Sequence, residues 1–321
     1  MSRSPTEGMQ APADTSTYTS TCTSAPTGVR GWPQRFGHAI RGARARSPHC
    51  TLYLGSKELI SWETNRRNGR DAAPAAGSPP APAPVVFENF EAWCAAHPGA
   101  QARIRVSGQL LHSLVADPAL RLRDEAAVRA YALQQFTHYH GTQAHQWPLA
   151  VWCAGTGSVA GASAGANVNA GASAGACALH SFDLPALQTA AVRHGVRLRS
   201  VAPAWSAGLT SLSIHQPSFA GPGLHALALV EGSLLTWLVA DAGRIVALQQ
   251  RYLDAPRTDA LADLLDRLIV EGQALAEPPL VIGWGMEDAR HTPLLRATVL
   301  GPLDDRLAAS AWMLDTMNVA A

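Results

Sequence analysis

Three histidines lie close together in the segment THYHGTQAH, at His138, His140 and His145. Three imidazole nitrogens form a common ligand set for a zinc ion. However, His138 and His140 fall at the end of a segment with a helical pattern, where residues two apart point in different directions. Histidine also suits the C-terminal end of a helix, because the helix dipole favours positive charge there. We therefore expect capping and surface roles for these residues, and no metal site.

Carboxylates are the second group that could do chemistry. Asp259 and Asp263 lie one helical turn apart, which is the spacing of a carboxylate pair for acid–base work. Arg267 follows Asp263 by four residues, and this pattern favours a solvated face with ion pairs. The sequence also contains no GxSxG motif and no nucleophile beside an obvious base. We therefore predict no catalytic residues.

Two glycine-containing turns could approach a phosphate. The first is Glu231-Gly232-Ser233, which separates two apolar strands of the stretch ALALVEGSLLTWLVADAGRIVALQQRYLD. An acidic residue at this turn opposes a phosphate, because the two charges repel. The second is the Gly/Ala/Ser repeat at 155–176, which lacks the Lys-Ser/Thr ending of a P-loop. We expect this repeat to be a flexible loop between two strands.

Composition limits the classes of function. The chain has 321 residues, of which 47% are hydrophobic, and a net charge of +1. This charge balance argues against nucleic acid as a partner. The cysteines are scattered without a CxxC pair, which favours free thiols in a reducing cytoplasm. The N-terminal segment lacks the apolar core of a signal peptide, and the longest apolar stretch, 224–240, is interrupted by Glu231 and short for a membrane span. We expect a cytoplasmic protein with no direct membrane span.

Low-complexity segments divide the chain. Residues 1–47 are rich in Ser, Thr, Pro, Gly and Arg and predict a disordered tail. Residues 66–84 form a Pro/Ala-rich loop, and residues 155–176 form the Gly/Ala/Ser loop. Residues 303–321 are interpreted as a C-terminal helix and tail, with the helix at 304–317.

Between these segments, strands and helices alternate. Hydrophobic periodicity and turn residues predict the following elements: a hairpin at 49–63 turning at Gly55-Ser56, a helix at 89–96, a strand-turn-strand unit at 102–115, a helix at 124–139, strands at 147–153 and 177–180, a helix at 184–194, a strand at 196–201, a helix at 203–212, a three-stranded meander at 225–253, a helix at 258–275 and a strand at 280–284. This order predicts an α/β protein with two halves, each of which opens with a β-meander. The halves share a faint echo, GSKELISW at 55–62 and GSLLTW at 232–237.

Two segments carry a resemblance to a known family. ARIRVSGQLLHSLVADPALRLRDEAAVRAYALQQFTHYHG, and LHALALVEGSLLTWLVADAGRIVALQQRYLD with the helix DALADLLDRLIVEGQ, are similar to the actin-like assembly proteins of type IV pili and type II secretion. These are the PilM family and the cytoplasmic part of the type II secretion L proteins. The resemblance covers roughly residues 49–302 and is one of element order and hydrophobic texture.

The resemblance implies an actin-like fold of two RNase H-like halves. The first half would occupy 48–154 and the second 218–302, with a connecting subdomain at 177–217. In function, it implies a bacterial scaffold that binds other assembly proteins of a cell-envelope machine such as a pilus or secretion system. Such a protein would be cytoplasmic and recruited to the inner membrane by a partner.

The resemblance also implies a place for ATP and magnesium. ATP-binding members carry an Asp-Ile-Gly-type turn near the metal and phosphate, whereas the matching turn here holds Glu231, Gly232 and Ser233. The adenosine side would be the turn formed by Gly283, Trp284 and Gly285, and Gly283 and Gly285 are its candidate binding residues.

The departures from that pattern favour lost nucleotide binding. The first hairpin turn, Leu54-Gly55-Ser56-Lys57, has no acid before its glycine, and the indole of Trp284 stands in the middle of the adenosine turn. We therefore predict a pseudo-ATPase scaffold without a cofactor. The alternatives are an active ATP-binding actin-like ATPase or sugar-kinase relative, and an unrelated α/β protein.

Overall fold

The computed structural model describes residues 48–64, 84–153, 173–209, 216–287, 296–300 and 303, apart from 121, 123 and 273. The strands are β1 His49–Leu54, β2 Leu59–Thr64, β3 Val85–Phe87, β4 Gln101–Val106, β5 Leu111–Val115, β6 Leu149–Cys153, β7 Ala174–Leu179, β8 Arg197–Pro203, β9 Leu224–Glu231, β10 Leu234–Asp241, β11 Arg244–Tyr252, β12 Leu280–Trp284 and β13 Thr298–Val299. The helices are α1 Phe90–Ala96, α2 Glu125–His140, α3 Leu184–Arg193 and α4 Thr258–Glu271. Residues 205–209 are also helical.

The first sheet has the strand order β3-β2-β1-β4-β8. Its first three strands form an antiparallel meander, and β4 and β8 add in parallel. Helix α1 connects β3 to β4. It is capped by Asn89, whose side chain accepts a hydrogen bond from the N–H of Ala92 and so satisfies a free donor of the first turn. The predicted hairpin and short helix are confirmed.

The second sheet has the order β11-β10-β9-β12-β13, which is the order of the first sheet repeated. Helix α4 connects β11 to β12 and buries Leu261, Leu265 and Leu268 against the sheet. The faint sequence echo falls on equivalent places, because Trp62 of β2 and Trp237 of β10 are both buried. The prediction of two similar α/β halves is confirmed.

Strand register gives the residue equivalences between the halves. In the first sheet Tyr53 pairs with Arg105, and Leu54 pairs with Val106. In the second sheet Val230 pairs with Gly283, and Glu231 pairs with Trp284. Glu231 therefore occupies the position that Leu54 occupies in the first half, and Gly283 occupies that of Arg105.

A third sheet of three antiparallel strands, in the order β5-β7-β6, lies between β4 and β8 in the sequence. Helix α2 packs on it and buries Val128, Ala132 and Phe136. The predicted strand-turn-strand unit at 102–115 is confirmed, and its two strands enter different sheets. Within the range predicted as a connecting subdomain, β7 belongs to this third sheet and β8 to the first.

The predicted Gly/Ala/Ser loop ends earlier than expected. Residues 174–176 belong to β7, and Ala174 and Ala176 are buried. A Cβ atom on Gly175 would lie 2.1 Å from the ring of Trp152, so the small residue makes room for that indole. The prediction of a flexible loop over 155–176 is therefore wrong at residues 174–176, because alanine and glycine allow a large ring to pack closely there.

One hydrophobic core joins the two large sheets. It contains Leu52, Trp62 and Ile104 from the first and Leu227 and Ile282 from the second. The helical segment 205–209, part of the helix predicted at 203–212, approaches the second sheet closely, since a Cβ atom on Gly208 would lie 2.4 Å from Leu227.

Several predictions fall on residues outside the described ranges. These are the tail at 1–47, nearly all of the loop at 66–84, and the helix at 304–317. Within the part of the chain that the structure describes, none of the helices has the length and apolar character needed to cross a membrane.

Candidate functional site

A cleft of about 500 Å³ opens where the two hairpin turns meet. It is lined by Tyr53, Gly55, Ser56, Lys57, Glu58, Gln109, Glu231, Gly232, Ser233, Tyr252, Trp284 and Gly285. Four of the five residues predicted for nucleotide contact, Glu231, Gly232, Ser233 and Gly285, lie in this lining. The structure therefore brings the predicted turns together at one place.

Glu231 ends β9 and is only 2% exposed. The hydroxyl of Tyr53 donates to its Oε1 at 2.7 Å, and the N–H of Gly108 donates to its Oε2 at 2.9 Å. The Ser107 side chain also hydrogen-bonds this carboxylate. Tyr53, Ser107 and Gly108 belong to the first half of the chain, so the Glu231 side chain fastens the second sheet to the first. We call this group the Glu231 clasp.

Two glutamines extend the clasp. The side-chain amide of Gln109 donates to the main-chain oxygen of Glu231 at 3.1 Å, and that of Gln250 donates to the carbonyl oxygen of Gly108 at 2.9 Å. Gly108 has no room for a side chain, because a Cβ atom there would lie 2.9 Å from Glu231 Oε2. Polar groups from β9, β11 and the segment after β4 thus satisfy one another.

Burial decides the proton affinities inside the clasp. Burial raises the pKa of Glu231 above its ordinary value, and the hydrogen bonds from Tyr53, Gly108 and Ser107 oppose this rise. Burial also raises the pKa of Tyr53 well above its ordinary value, and the negative charge of Glu231 adds to the effect. The phenol therefore stays protonated and donates to the carboxylate throughout the physiological range.

The turn of the second half, Glu231-Gly232-Ser233, is closed by main-chain hydrogen bonds to neighbouring segments. Gly232 adopts a φ of 64°, and its N–H donates to the carbonyl oxygen of Trp284 at 2.9 Å. The carbonyl oxygen of Ser233 accepts from the N–H of Leu253 at 2.7 Å. Gly285 must be a glycine, because its φ is 88° and a Cβ atom would lie 2.8 Å from the Cα of Gly232.

Gly283 lies outside the cleft lining. It is in β12, with a φ of 138°, and a Cβ atom there would lie 2.0 Å from the carbonyl oxygen of Val230. Its role is therefore close approach between two strands. The next residue, Trp284, faces the cleft and meets the ring of Tyr53 edge to face, with 4.7 Å between ring centroids.

The turn of the first half, residues 55–58, is more exposed to solvent. The N–H of Gly55 donates to the carbonyl oxygen of Glu58, and the hydroxyl of Ser56 donates to Gln109 Oε1 at 2.6 Å. Ser56 and Lys57 are exposed at the mouth of the cleft. Lys57, the only lysine of the chain, is the cation at this mouth.

Sequence reasoning missed Tyr53, Gly108 and Gln250 as parts of the site. The available signal was Glu231 itself, because a carboxylate inside an apolar strand requires buried donors. The identity of those donors was not available, since Tyr53 is 178 positions away in the sequence.

The predicted histidine group separates in the structure. His138 contacts the ring of Tyr139, while His145 is bonded to Thr137. His140 instead stacks on His112, which lies on β5. Among the described residues, no group of three or more His, Cys, Asp or Glu side chains has the arrangement to hold a metal ion.

The predicted ion-paired face of α4 has different partners. Asp259 pairs with Arg257, and Asp266 pairs with Arg296. Arg267 donates to the main-chain oxygen of Asp263. The interpretation as a solvated surface fits these exposed contacts.

Comparison with known proteins shows the fold. No family profile and no curated protein matches the sequence. Among solved structures, the chain is similar to a Bacteroides thetaiotaomicron protein with an actin-like ATPase fold and unknown function, with 8% identity, a TM-score of 0.53, and coverage of 88% of this chain and 99% of that one. The fold is therefore actin-like, as the resemblance in sequence implied.

Two further structures belong to secretion and pilus machinery. The cytoplasmic domain of EpsL, an inner-membrane component of the Vibrio cholerae type II secretion system, aligns with 13% identity and a TM-score of 0.47, covering 86% of this chain and 96% of that domain. A chain of the PilM–PilN type IV pilus biogenesis complex aligns with 12% identity and a TM-score of 0.49, covering 85% and 98%.

Proposed function

We propose that this chain is a non-catalytic actin-like scaffold that binds partner proteins in a bacterial cell-envelope assembly such as a pilus or secretion system. The observation that carries the non-catalytic part is the Glu231 clasp. Both carboxylate oxygens accept hydrogen bonds from buried donors of the first half. The pilus and secretion context depends on the resemblance of segments 102–141 and 224–254 to the actin-like assembly proteins.

The clasp does not fit a magnesium–nucleotide complex. A magnesium ion prefers oxygen ligands in strict octahedral geometry and keeps several of its waters. To reach such an ion, Glu231 would have to give up its bonds to Tyr53 and Gly108 and turn out of a buried position. The Gly232 N–H, which would otherwise face a phosphate, is bonded to Trp284.

The second candidate function is an ATP-binding ATPase or sugar-kinase relative. The cleft volume of about 500 Å³ and the exposed Lys57 at its mouth favour this alternative. Incubation of the chain with Mg-ATP should release no phosphate above the rate in buffer. Release that disappears in the Lys57→Ala variant would overturn the scaffold proposal in favour of the enzyme.

The partner surface that fits best is the groove beside β5, of about 270 Å³. Among the described strands, β5 pairs only with β7, and β11 lies beside it with Gln250 in the groove, so we place an extended segment of a partner protein in the space between β5 and α2. Helix α2 supplies an apolar wall with Tyr131, Phe136 and Tyr139. Phe136 is buried at the base of this wall and Tyr139 is exposed at its rim, and an exposed aromatic side chain of this kind is typical of interface hot spots.

Binding assays with assembly proteins encoded beside the gene test this surface. Tyr139 is 73% exposed, so the Tyr139→Ala variant should fold normally and weaken binding roughly tenfold or more. The matched control is Val270→Ala on α4, where the valine is 75% exposed, and it should bind as the unsubstituted chain does. Equal binding by the Tyr139 variant would contradict this placement, and no binding to any of these proteins would contradict the scaffold function.

By this proposal the protein is cytoplasmic, and a partner brings it to the inner membrane. Fractionation of cells with and without that partner checks this expectation. The protein should move from the membrane fraction to the soluble fraction when the partner is deleted.

A further inference from the structure

Three imidazole rings from separate elements stack on one another beside Trp147. His112 lies on β5, His140 is the last residue of α2, and His180 directly follows β7. The ring centroids of His112 and His140 are 3.9 Å apart, and those of His112 and His180 are 4.0 Å apart. The planes are nearly parallel, at 18° and 22°. We call this group the histidine stack, and His112 is its middle ring.

The histidine stack joins three elements at one point. It fastens the C-terminal end of α2 to β5 and to the end of β7, and the indole of Trp147 lies 5.2 Å from His112. The two rings of α2 and β5 also line the groove beside β5. A change in the stack would therefore move the wall of that groove.

Neutral imidazoles tolerate face-to-face contact, whereas two imidazolium rings at 4 Å repel each other strongly when partly shielded from water. Burial, His180 and His140, in that order, lower the pKa of His112 to about 4. Burial and then His140 lower the pKa of His180, and the main chain of Gln109 opposes this decrease. His112 and His180 therefore resist protonation once a neighbouring ring is charged.

Other ionisable groups near the stack do not supply a compensating negative charge. The ionisable side chains on the elements packed against it are Glu125, Arg129, Tyr131, His138 and Tyr139 on α2, His145 on the segment after α2, Cys177 on β7, and Arg244, Arg251 and Tyr252 on β11. Glu125, the acid among them, lies at the opposite end of α2 from His140. Asp183, beyond His180, accepts from the N–H of Ala186 at the start of α3. Glu231 is held by Tyr53 and Gly108.

The region held by the histidine stack has a small core. The buried residues between α2 and the third sheet are mostly small, namely Ala116, Val128, Ala132, Phe136, Ala144, Ala174, Ala176 and Ala178. These side chains bury less apolar surface than those of the large sheets, so this region opens at a lower free energy than the large sheets do.

We propose that the histidine stack is an acid-sensitive latch: its neutral rings hold the C-terminal end of α2 against β5 and β7, and a second proton on the stack releases that end and widens the groove beside β5. A second proton must enter the stack beside a ring that is already positively charged, and the two charges repel.

The sign of the pH effect follows from linkage. A histidine whose folded pKa is lowered contributes stability that is present above its ordinary pKa, near 6.5, and is lost as the pH falls toward the lowered value of about 4. Opening should therefore increase between about pH 6.5 and pH 4. Because the rings are partly exposed, the increase per pH unit should be about three- to fivefold, below the tenfold limit for one proton.

Hydrogen exchange on the full chain tests the latch. Amide protection in residues 111–115 and 125–147, corrected for intrinsic rates, should fall by this factor per pH unit while protection in α4 stays constant. The double variant His112→Phe/His180→Phe keeps aromatic rings in the stack but leaves His140 as its only ionisable ring, so no second proton can enter the stack and the protection should not change with pH. His138→Phe, on the neighbouring exposed position of α2, should behave as the unsubstituted chain does.

Two results would overturn the proposal. One is a pH dependence that persists in the double variant His112→Phe/His180→Phe, and the other is constant protection in the unsubstituted chain down to pH 4.5. If the variant fails to fold, an NMR titration of the histidine rings in the unsubstituted chain shows whether their protonation accompanies the loss of amide protection. A His112 ring that becomes protonated near pH 6.5, with no change in amide protection, would contradict the latch.

Discussion

The two hairpin turns at the cleft occupy equivalent places in equivalent sheets, yet they differ in burial. The first turn, between Leu54 and Leu59, has four residues and leaves Ser56 and Lys57 exposed. The second turn, between Glu231 and Leu234, has two residues and begins with a buried carboxylate. The apolar Leu54 of the first half thus corresponds to the charged Glu231 of the second.

This difference shows how two similar halves can contribute differently to one cleft. Glu231 reaches across to Tyr53 and Gly108, so the acid contributes to contact between the halves instead of facing the solvent. In the first turn, the hydrogen bond from Ser56 to Gln109 is exposed. Substitutions at equivalent positions should therefore have unequal effects.

The largest difference in the free energy of unfolding is expected between substitutions of Gly283 and of Arg105, which occupy equivalent positions in the two sheets. A Cβ atom in Gly283→Ala would lie 2.0 Å from the Val230 carbonyl oxygen, at a φ of 138°, so the free energy of unfolding should fall by about 3–5 kcal/mol. Arg105→Ala loses a hydrogen bond to Ser206 and should cost about 1–2 kcal/mol. Urea denaturation of both variants checks the order, and equal losses would contradict the assigned equivalence.

The next largest difference in the free energy of unfolding is expected between substitutions in the two hairpin turns. Glu231→Leu leaves the Tyr53 hydroxyl and the Gly108 N–H without their partner in a buried place, so the free energy of unfolding should fall by about 2–4 kcal/mol. Ser56→Ala removes an exposed hydrogen bond to Gln109 and should change it by less than about 0.5 kcal/mol. A stable Glu231→Leu variant would show that the clasp does not hold the halves together.

The smallest effect is the pH dependence of the clasp. Because burial raises the pKa of Glu231, the folded chain binds a proton more tightly than the unfolded chain does. The stability contributed by this group is complete below its ordinary pKa and is lost as the pH rises through the folded pKa. The free energy of unfolding, taken relative to Glu231→Gln, should therefore decrease with rising pH from about 4.5, by less than about 1.4 kcal/mol per unit. An increase over that window would mean that the hydrogen bonds outweigh burial.

Element order could be predicted from the sequence because the signals are local. The alternation in 225–253 and the apolar stripe of α4 specify a meander and a helix without knowledge of their neighbours. The turns of the cleft were also found, since glycine marks them. The same local signals misplaced the start of β7, where small residues were interpreted as a loop.

Partners across the fold could not be predicted in this way. Tyr53 and Glu231, or His112 and His140, meet only because the sheets and α2 bring them together. His138, His140 and His145 were noticed as a sequence group, but the ring that stacks on His140 is His112, which lies on another element. A local pattern identifies a residue that needs a partner, while the fold decides which residue that partner is.

We propose that the Glu231 clasp stands in place of a nucleotide site, and the melting temperature of the chain in Mg-ATP decides whether it does. A ligand that binds only the folded chain at a hundred times its dissociation constant stabilises it by about 2.7 kcal/mol, which raises the melting temperature of a chain this size by several degrees. We predict no shift with Mg-ATP up to millimolar concentration. A rise of several degrees that is lost in Lys57→Ala would show that the cleft binds nucleotide, and would contradict the account.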